Sequence, residues 1–132
     1  MIGLDANLLL RMIVNDEPQQ RVRAETLIVA ECSRDNPGFV NSVTLCEIVW
    51  TLKVSYGFDR GAIANTVSDL LASTDIRLEW EREVAVALEA YARSGADFAD
   101  LLVAEINRAH GCSATATFDR KAAKLAGFMR VP

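Results

Sequence analysis

Ile2-Gly3-Leu4-Asp5-Ala6-Asn7 opens the chain and sets the pattern for the rest. Residues 2–4 form a short apolar run of the kind a buried strand shows, and a stretch of helical period follows over residues 6–14. The alternation then repeats. Asp16, Glu17 and Pro18 open a second helical stretch, Pro18 suiting a first turn; it runs to about residue 34 and is expected to carry Val22, Leu27, Ile28 and Val29 inward. Asn36-Pro37-Gly38 breaks it, and residues 39–41 read as a second strand. Over residues 44–56, Leu45, Ile48, Val49 and Leu52 fall at i, i+3, i+4 and i+7, one face of a helix that Gly57 ends. A helix over residues 59–72 follows, with Ile63, Val67, Leu70 and Leu71 inward, then a third short strand at Ile76–Leu78. Residues 81–91 are helical by composition, Ser94-Gly95 closes them, and residues 97–109 form a helix with Phe98, Leu101, Leu102 and Ile106 on its inner face. A strand over residues 113–118, a short helix over 119–125 and an edge strand over 128–131 complete the chain. Strands alternating with helices predict an α/β class built on a parallel sheet.

At 132 residues the chain fits one domain, residues 1–132, with no room for a second. A chain of this length buries roughly two-thirds of its unfolded surface, so it needs no staples. Apolar residues make up 51% and charged ones 24%, with seven Gly and three Pro, which excludes disordered and collagen-like classes. Charges interrupt every apolar run well before the ~18 residues a membrane span requires. The N-terminus carries no basic stretch or leader-like run, so the chain is expected to stay whole in the cytoplasm. A net charge of -4 excludes general nucleic-acid coating, and any contact with RNA must be local and assisted by a cation.

Cys32, Cys46 and Cys112 are far apart and form no CxxC, and His110 is the one histidine. A structural zinc site needs about four N or S ligands, so reduced, packed thiols are the expected state. Ser42, Ser113 and Thr117 lack a histidine base, since His110 is alone and expected near a helix end, so a protein nucleophile is not expected.

The carboxylates fall in a pattern. Asp5 ends the first strand, Asp119 follows the strand over 113–118, Glu47 lies in the first turn of its helix, and Asp97 and Asp100 lie in the first turn of theirs. In an open parallel sheet the edge at strand C-termini is where ligands bind. Each acid also has a structural reading. Thr44-Leu45-Cys46-Glu47 matches a capping box, and Asp97 and Asp119 are placed to cap helices. Asp5, which interrupts an apolar strand, is harder to explain by structure alone. Acids converging on one edge repel one another unless a divalent cation sits among them, and oxygen-only ligands favour Mg²⁺ or Mn²⁺.

Ile2-Gly3-Leu4-Asp5-Ala6-Asn7, Thr44-Leu45-Cys46-Glu47, Gly95-Ala96-Asp97-Phe98-Ala99-Asp100-Leu101-Leu102 and Thr117-Phe118-Asp119-Arg120, in this order and spacing, resemble a PIN-domain protein. More narrowly, the chain resembles the VapC-type toxin ribonucleases of bacterial toxin–antitoxin pairs, from residue 2 to about residue 130. The resemblance implies a three-layer α/β/α fold with a central parallel sheet of four to five strands. It also implies an Mg²⁺- or Mn²⁺-dependent endoribonuclease that is homodimeric and held inactive by a cognate antitoxin. The family's acidic quartet carries over onto Asp5, Glu47, Asp100 and Asp119, with Asp97 as an auxiliary metal-binding acid. Asn7 and Thr117 match positions that orient those carboxylates. Asp100 is favoured over Asp97 as the nearer ligand, because Asp97 takes the N-cap position.

RNA needs positive charge. Residues 108–130 hold Arg108, Arg120, Lys121, Lys124 and Arg130 against the single acid Asp119, a local +4, whereas residues 75–105 carry a local -5. Arg120, Lys121 and Lys124 are therefore expected to border the site and hold RNA phosphates, the alternative being a solvated face. Trp50 is placed on the far side of the Glu47 helix, as a dimer or antitoxin contact or as core. A phospho-receiver module is disfavoured because no acidic pair follows Leu4 and Ile76–Leu78 supplies no Asp. A phosphatase of another α/β family is a weaker rival, and a catalytically silent protein using the same fold to bind RNA or a partner is the main alternative.

Overall fold

A computed structural model describes residues 1–132. The chain is mixed α/β, with six helices and short parallel strands, gathered into two compact units, Met1–Glu79 and Trp80–Pro132. No helix is long and apolar enough to cross a membrane.

In the first unit the order is α1 (Ala6–Ile13), α2 (Pro18–Glu31), β1 (Gly38–Val40), α3 (Ser42–Val54), α4 (Arg60–Ala72) and β2 (Ile76–Leu78). β1 and β2 pair in parallel, with Gly38 opposite Ile76 and Val40 opposite Leu78. Residues 2–4 lie along the other side of β1. Gly3 bridges Phe39 in parallel, Leu4 N–H donates to the Phe39 carbonyl at 2.8 Å, and Phe39 N–H donates to the Ile2 carbonyl at 2.7 Å. Gly38 is required by close approach: a Cβ there would stand 2.6 Å from Leu4 Cδ1 and 3.0 Å from Cys32 Sγ. Leu4, Leu9, Val40, Leu45, Ile48, Leu52, Ile63 and Val67 form the buried apolar set of this unit. α3 buries the four positions its periodicity selects and stops before Gly57, whose φ of +68° suits a residue without a side chain.

α2 corrects the expected inner face. It buries Ala24 and Ile28, while Val22 and Val29 are 61% and 83% exposed and Leu27 is 39% exposed. Val22 and Val29 share one face at i, i+7, and Ala24 and Ile28 share the opposite one at i, i+4.

The second unit contains α5 (Glu81–Arg93), α6 (Phe98–Ala109), β3 (Thr115–Thr117), a 3-10 turn (Ala122–Lys124) and β4 (Phe128–Arg130). α5 packs on α6 through Val84, Ala87, Tyr91, Phe98 and Leu102, with the Tyr91 and Phe98 rings edge to face at 5.9 Å. β3 and β4 are parallel, Thr115 opposite Phe128 and Thr117 opposite Arg130. Trp80, ahead of α5, has a left-handed backbone at φ 58°, uncommon for a bulky residue, and its indole meets the His110 ring at 5.0 Å. The helix expected over residues 119–125 is this single 3-10 turn. Strand pairing shows two two-stranded ladders, one in each unit, and the bridge from Gly3 to Phe39.

Candidate functional site

Asp5 occupies the N-cap position of α1 with extended backbone at φ -85°, ψ 158°, yet its side chain caps no N–H. It is exposed. Its carboxylate is therefore free of structural duty. Asn7 is exposed in the first turn of α1 and lines a groove of about 390 Å³ with Arg11, Gln20 and Arg23. Sequence reasoning did not find this groove, because its residues come from two helices whose spacing no linear motif records. Arg11 is held in it by Gln20 Oε1 at 2.7 Å and Asp16 Oδ1 at 3.2 Å, and its guanidinium also donates to the Tyr56 hydroxyl at 3.4 Å.

Glu47 does not close a capping box. α3 begins at Ser42 with Asn41 as its N-cap, the Asn41 Oδ1 accepting the Thr44 N–H at 2.8 Å. That places Glu47 in the second turn, exposed, where backbone N–H groups are already bonded within the helix. Glu79 supplies a further contact at this helix start, its Oε1 accepting the Ser42 N–H at 2.9 Å. The Ser42 hydroxyl beside it is buried without a partner.

The other acids lie in the second unit. Asp97 is the N-cap residue of α6 and makes no capping bond with its side chain, which corrects the reason for setting it aside. Asp100 lies in the first turn of α6, half-buried. Burial first, and then the negative charges of Asp97 and Asp119, raise its carboxyl above the ordinary range. Asp119 divides its duties. Its Oδ1 accepts the N–H groups of Lys121 at 2.8 Å and Ala122 at 3.1 Å, the cap expected of it, while Oδ2 has no protein partner. Thr117 Oγ1 accepts the Asp119 N–H at 3.0 Å and so fixes the backbone that presents this acid. Arg120, Lys121 and Lys124 are exposed on the same turn, without an ion pair.

No three His, Cys, Asp or Glu side chains stand close enough to make a ready-formed cation site. The chemistry of the donors nevertheless fits one. Asp97, Asp100 and Asp119 offer only carboxylate oxygens, and the Asp100 carboxyl is raised by burial first and then by two like charges, which a hard divalent cation would offset. The cysteines offer nothing to such a site: Cys32 is buried with its thiol pushed up by burial, and Cys112 is exposed rather than packed. His110 is exposed, engaged only by the Trp80 ring.

A comparison with curated proteins finds no match. The family model for the PIN domain, a family whose members are typically nucleases, matches residues 2–128, and the chain belongs to that family.

Proposed function

We propose that this chain is an Mg²⁺- or Mn²⁺-dependent endoribonuclease hydrolysing RNA phosphodiester bonds, and the VapC-type toxin of a toxin–antitoxin pair. In this reading residues 1–132 are one PIN domain with a three-layer α/β/α arrangement, cytoplasmic, homodimeric and restrained by a cognate antitoxin protein. The observation that carries it is Asp100, a half-buried acid kept above the ordinary range beside Asp97 and Asp119, in a chain of a family of nucleases. A carboxylate so placed is costly to the fold and is explained by a cation it serves.

Asp5, Glu47, Asp100 and Asp119 are the acids assigned to hold the ion, with Asp97 as an auxiliary. When bound, Mg²⁺ or Mn²⁺ supplies Lewis acidity toward the phosphoryl group and lowers the pKa of water. The remaining work belongs to the chain. Thr117 and the Lys121 and Ala122 N–H groups fix Asp119 with Oδ2 free, a geometry suited to holding a water or a cation. Asp119 or Asp5 orients the attacking water. Asn7, like Thr117, is assigned a part in orienting these carboxylates. Arg120, Lys121 and Lys124 border the site and hold RNA phosphates.

The test is incubation of purified, partner-free protein with structured RNAs, with Mg²⁺ and with a chelator. Internal cleavage that needs the cation is expected. Cleavage that survives complete chelation overturns the metal dependence, and RNA binding without cleavage in Mg²⁺ or Mn²⁺ selects the catalytically silent alternative.

A further inference from the structure

The groove between α1 and α2 has no part in the reaction as proposed, yet its lining is of the kind that holds a nucleotide. Asn7, Leu8 and Arg11 come from α1, and Gln20, Arg23, Ala24 and Leu27 from α2, around a volume of about 390 Å³. Leu8, Ala24 and Leu27 supply apolar surface. The polar groups are two guanidinium groups and two carboxamides, and no acid is among the lining residues. Trp50 takes no part: its indole is 61% exposed on the same face of α3 as Glu47, not on the far side, and does not line the groove.

The two arginines are prepared differently. Arg11 is clamped: Nε donates to Gln20 Oε1, and Nη1 donates to Asp16 Oδ1 and to the Tyr56 hydroxyl. Those bonds fix the plane of the guanidinium and leave Nη2 without a protein acceptor. Arg23 is exposed and forms no ion pair, whereas Arg21 beside it is taken by Glu25 at 2.9 Å. With Arg11 balanced by Asp16, Arg23 is the unbalanced charge of the groove. A fixed guanidinium beside a free one suits phosphate oxygens, which its forked donors match in pairs. Position decides which phosphate. Asn7 is in the first turn of α1, two residues after Asp5, and Arg11 lies six residues after Asp5, roughly 9 Å along the helix axis. The groove thus begins beside an acid assigned to the cut, and the strand being cut is the occupant that extends into it. An acidic peptide would also satisfy the arginines, but it lacks that continuity. Single-stranded RNA brings bases and riboses to the apolar surface, and the carboxamides of Asn7 and Gln20 offer donors to base edges.

We propose that the α1–α2 groove binds the RNA strand beyond the scissile bond, Arg11 and Arg23 holding a phosphodiester there and Leu8, Ala24 and Leu27 lying against the nucleotide that carries it. The inference deepens the proposed function and rests on it for the identity of the occupant. It gives the chain a second anion contact, separate from Arg120, Lys121 and Lys124, whose work is to hold the strand rather than to cut it.

Arg23 is the residue to test, because removing Arg11 would strip Gln20, Asp16 and Tyr56 of their shared partner. The probe is a fluorescein-labelled single-stranded oligouridylate containing thiouridine, with Mg²⁺ present and Asp100→Asn in every chain so that the probe survives. Fluorescence anisotropy is expected to show Arg23→Ala binding about five- to ten-fold more weakly, with a salt slope smaller by about 0.7. Arg23→Lys is expected to recover most of the loss. Arg34→Ala, which removes the same charge from an exposed position outside the groove, is expected to bind as the parent does. Near-ultraviolet light should cross-link the thiouridine to the segment from Asn7 to Leu27, as peptide mass spectrometry reads it. Unchanged binding by Arg23→Ala, an equal loss in Arg34→Ala, or cross-links only outside that segment overturns the inference. Hexaglutamate or inorganic phosphate that abolishes the cross-link at the same concentration of negative charge overturns the choice of RNA as occupant. None of these readouts depends on cleavage. Cross-links in the groove of a chain that, with Asp100 intact, cuts no RNA refute the nuclease reading alone. Cleavage by the Asp100-containing chain, with binding indifferent to Arg23→Ala, refutes the groove alone.

Discussion

Asp100 holds its proton to higher pH than an unfolded chain would, because burial and the charges of Asp97 and Asp119 oppose its ionised form. Between the ordinary carboxylate range and the raised value the folded protein binds more protons than the unfolded one. Its stability therefore falls as pH rises through that window. Asp100→Asn removes this effect, so the variant is expected to melt above the unmodified chain at neutral pH, with the gain gone below about pH 4. Thermal unfolding followed across that range checks it, and a variant less stable than the parent at pH 7 would show that the carboxylate is structurally supported. Mg²⁺ should raise the melting temperature of the parent more than that of Asp100→Asn, since a ligand of the folded state alone stabilises by mass action. The candidacy of this residue was legible in its position near a helix start. Its half-burial was not, because that depends on how β3, the 3-10 turn and α6 pack.

At the scale of elements, α3 shows what linear pattern carries and what it omits. The i, i+3, i+4, i+7 repeat of Leu45, Ile48, Val49 and Leu52 names the buried face, since those side chains must leave water together. The cap escaped the same reading. Thr44 and Glu47 satisfy the capping-box spacing, but Asn41 captures the Thr44 N–H first and starts the helix two residues earlier. Asn41→Ala is therefore expected to lower stability by about 1 kcal/mol. Glu47→Gln should change it by less than about 0.5 kcal/mol while removing cleavage. Urea unfolding of both variants, read beside an RNA cleavage assay, separates the two roles; a large stability loss in Glu47→Gln would return that residue to a capping duty. α2 marks a different limit. Its apolar residues supply two opposite faces, Ala24 with Ile28 and Val22 with Val29, and only packing against α1 decides which is buried.

For the whole molecule, the alternation of short strands and helices was legible because strand and helix periods differ, and it announced the α/β class and parallel strands, though not which strand pairs with which: β1 pairs with β2 and β3 with β4. The extent of the ladders was not legible, since strands of three residues leave pairing to tertiary context. Charge acts at this scale too. If a chain of net charge -4 acts on RNA as proposed, it does so through a local basic segment, for which Arg120, Lys121 and Lys124 are exposed candidates. For the Lys121→Ala, Lys124→Ala double variant, the slope of log affinity against log salt should shrink by about 0.7 for each phosphate of single-stranded RNA that the protein no longer neutralises. Filter binding at several salt concentrations checks it, and an unchanged slope removes these lysines from the interface. The central claim is that acids far apart in the chain serve one cation-dependent cut in RNA. Its most direct measurement is the cleavage rate of a single RNA in Mg²⁺ by the unmodified chain and by folded Asp5→Asn and Asp100→Asn variants. A loss of at least about a hundred-fold is expected in each variant, and full activity in either one would contradict that claim.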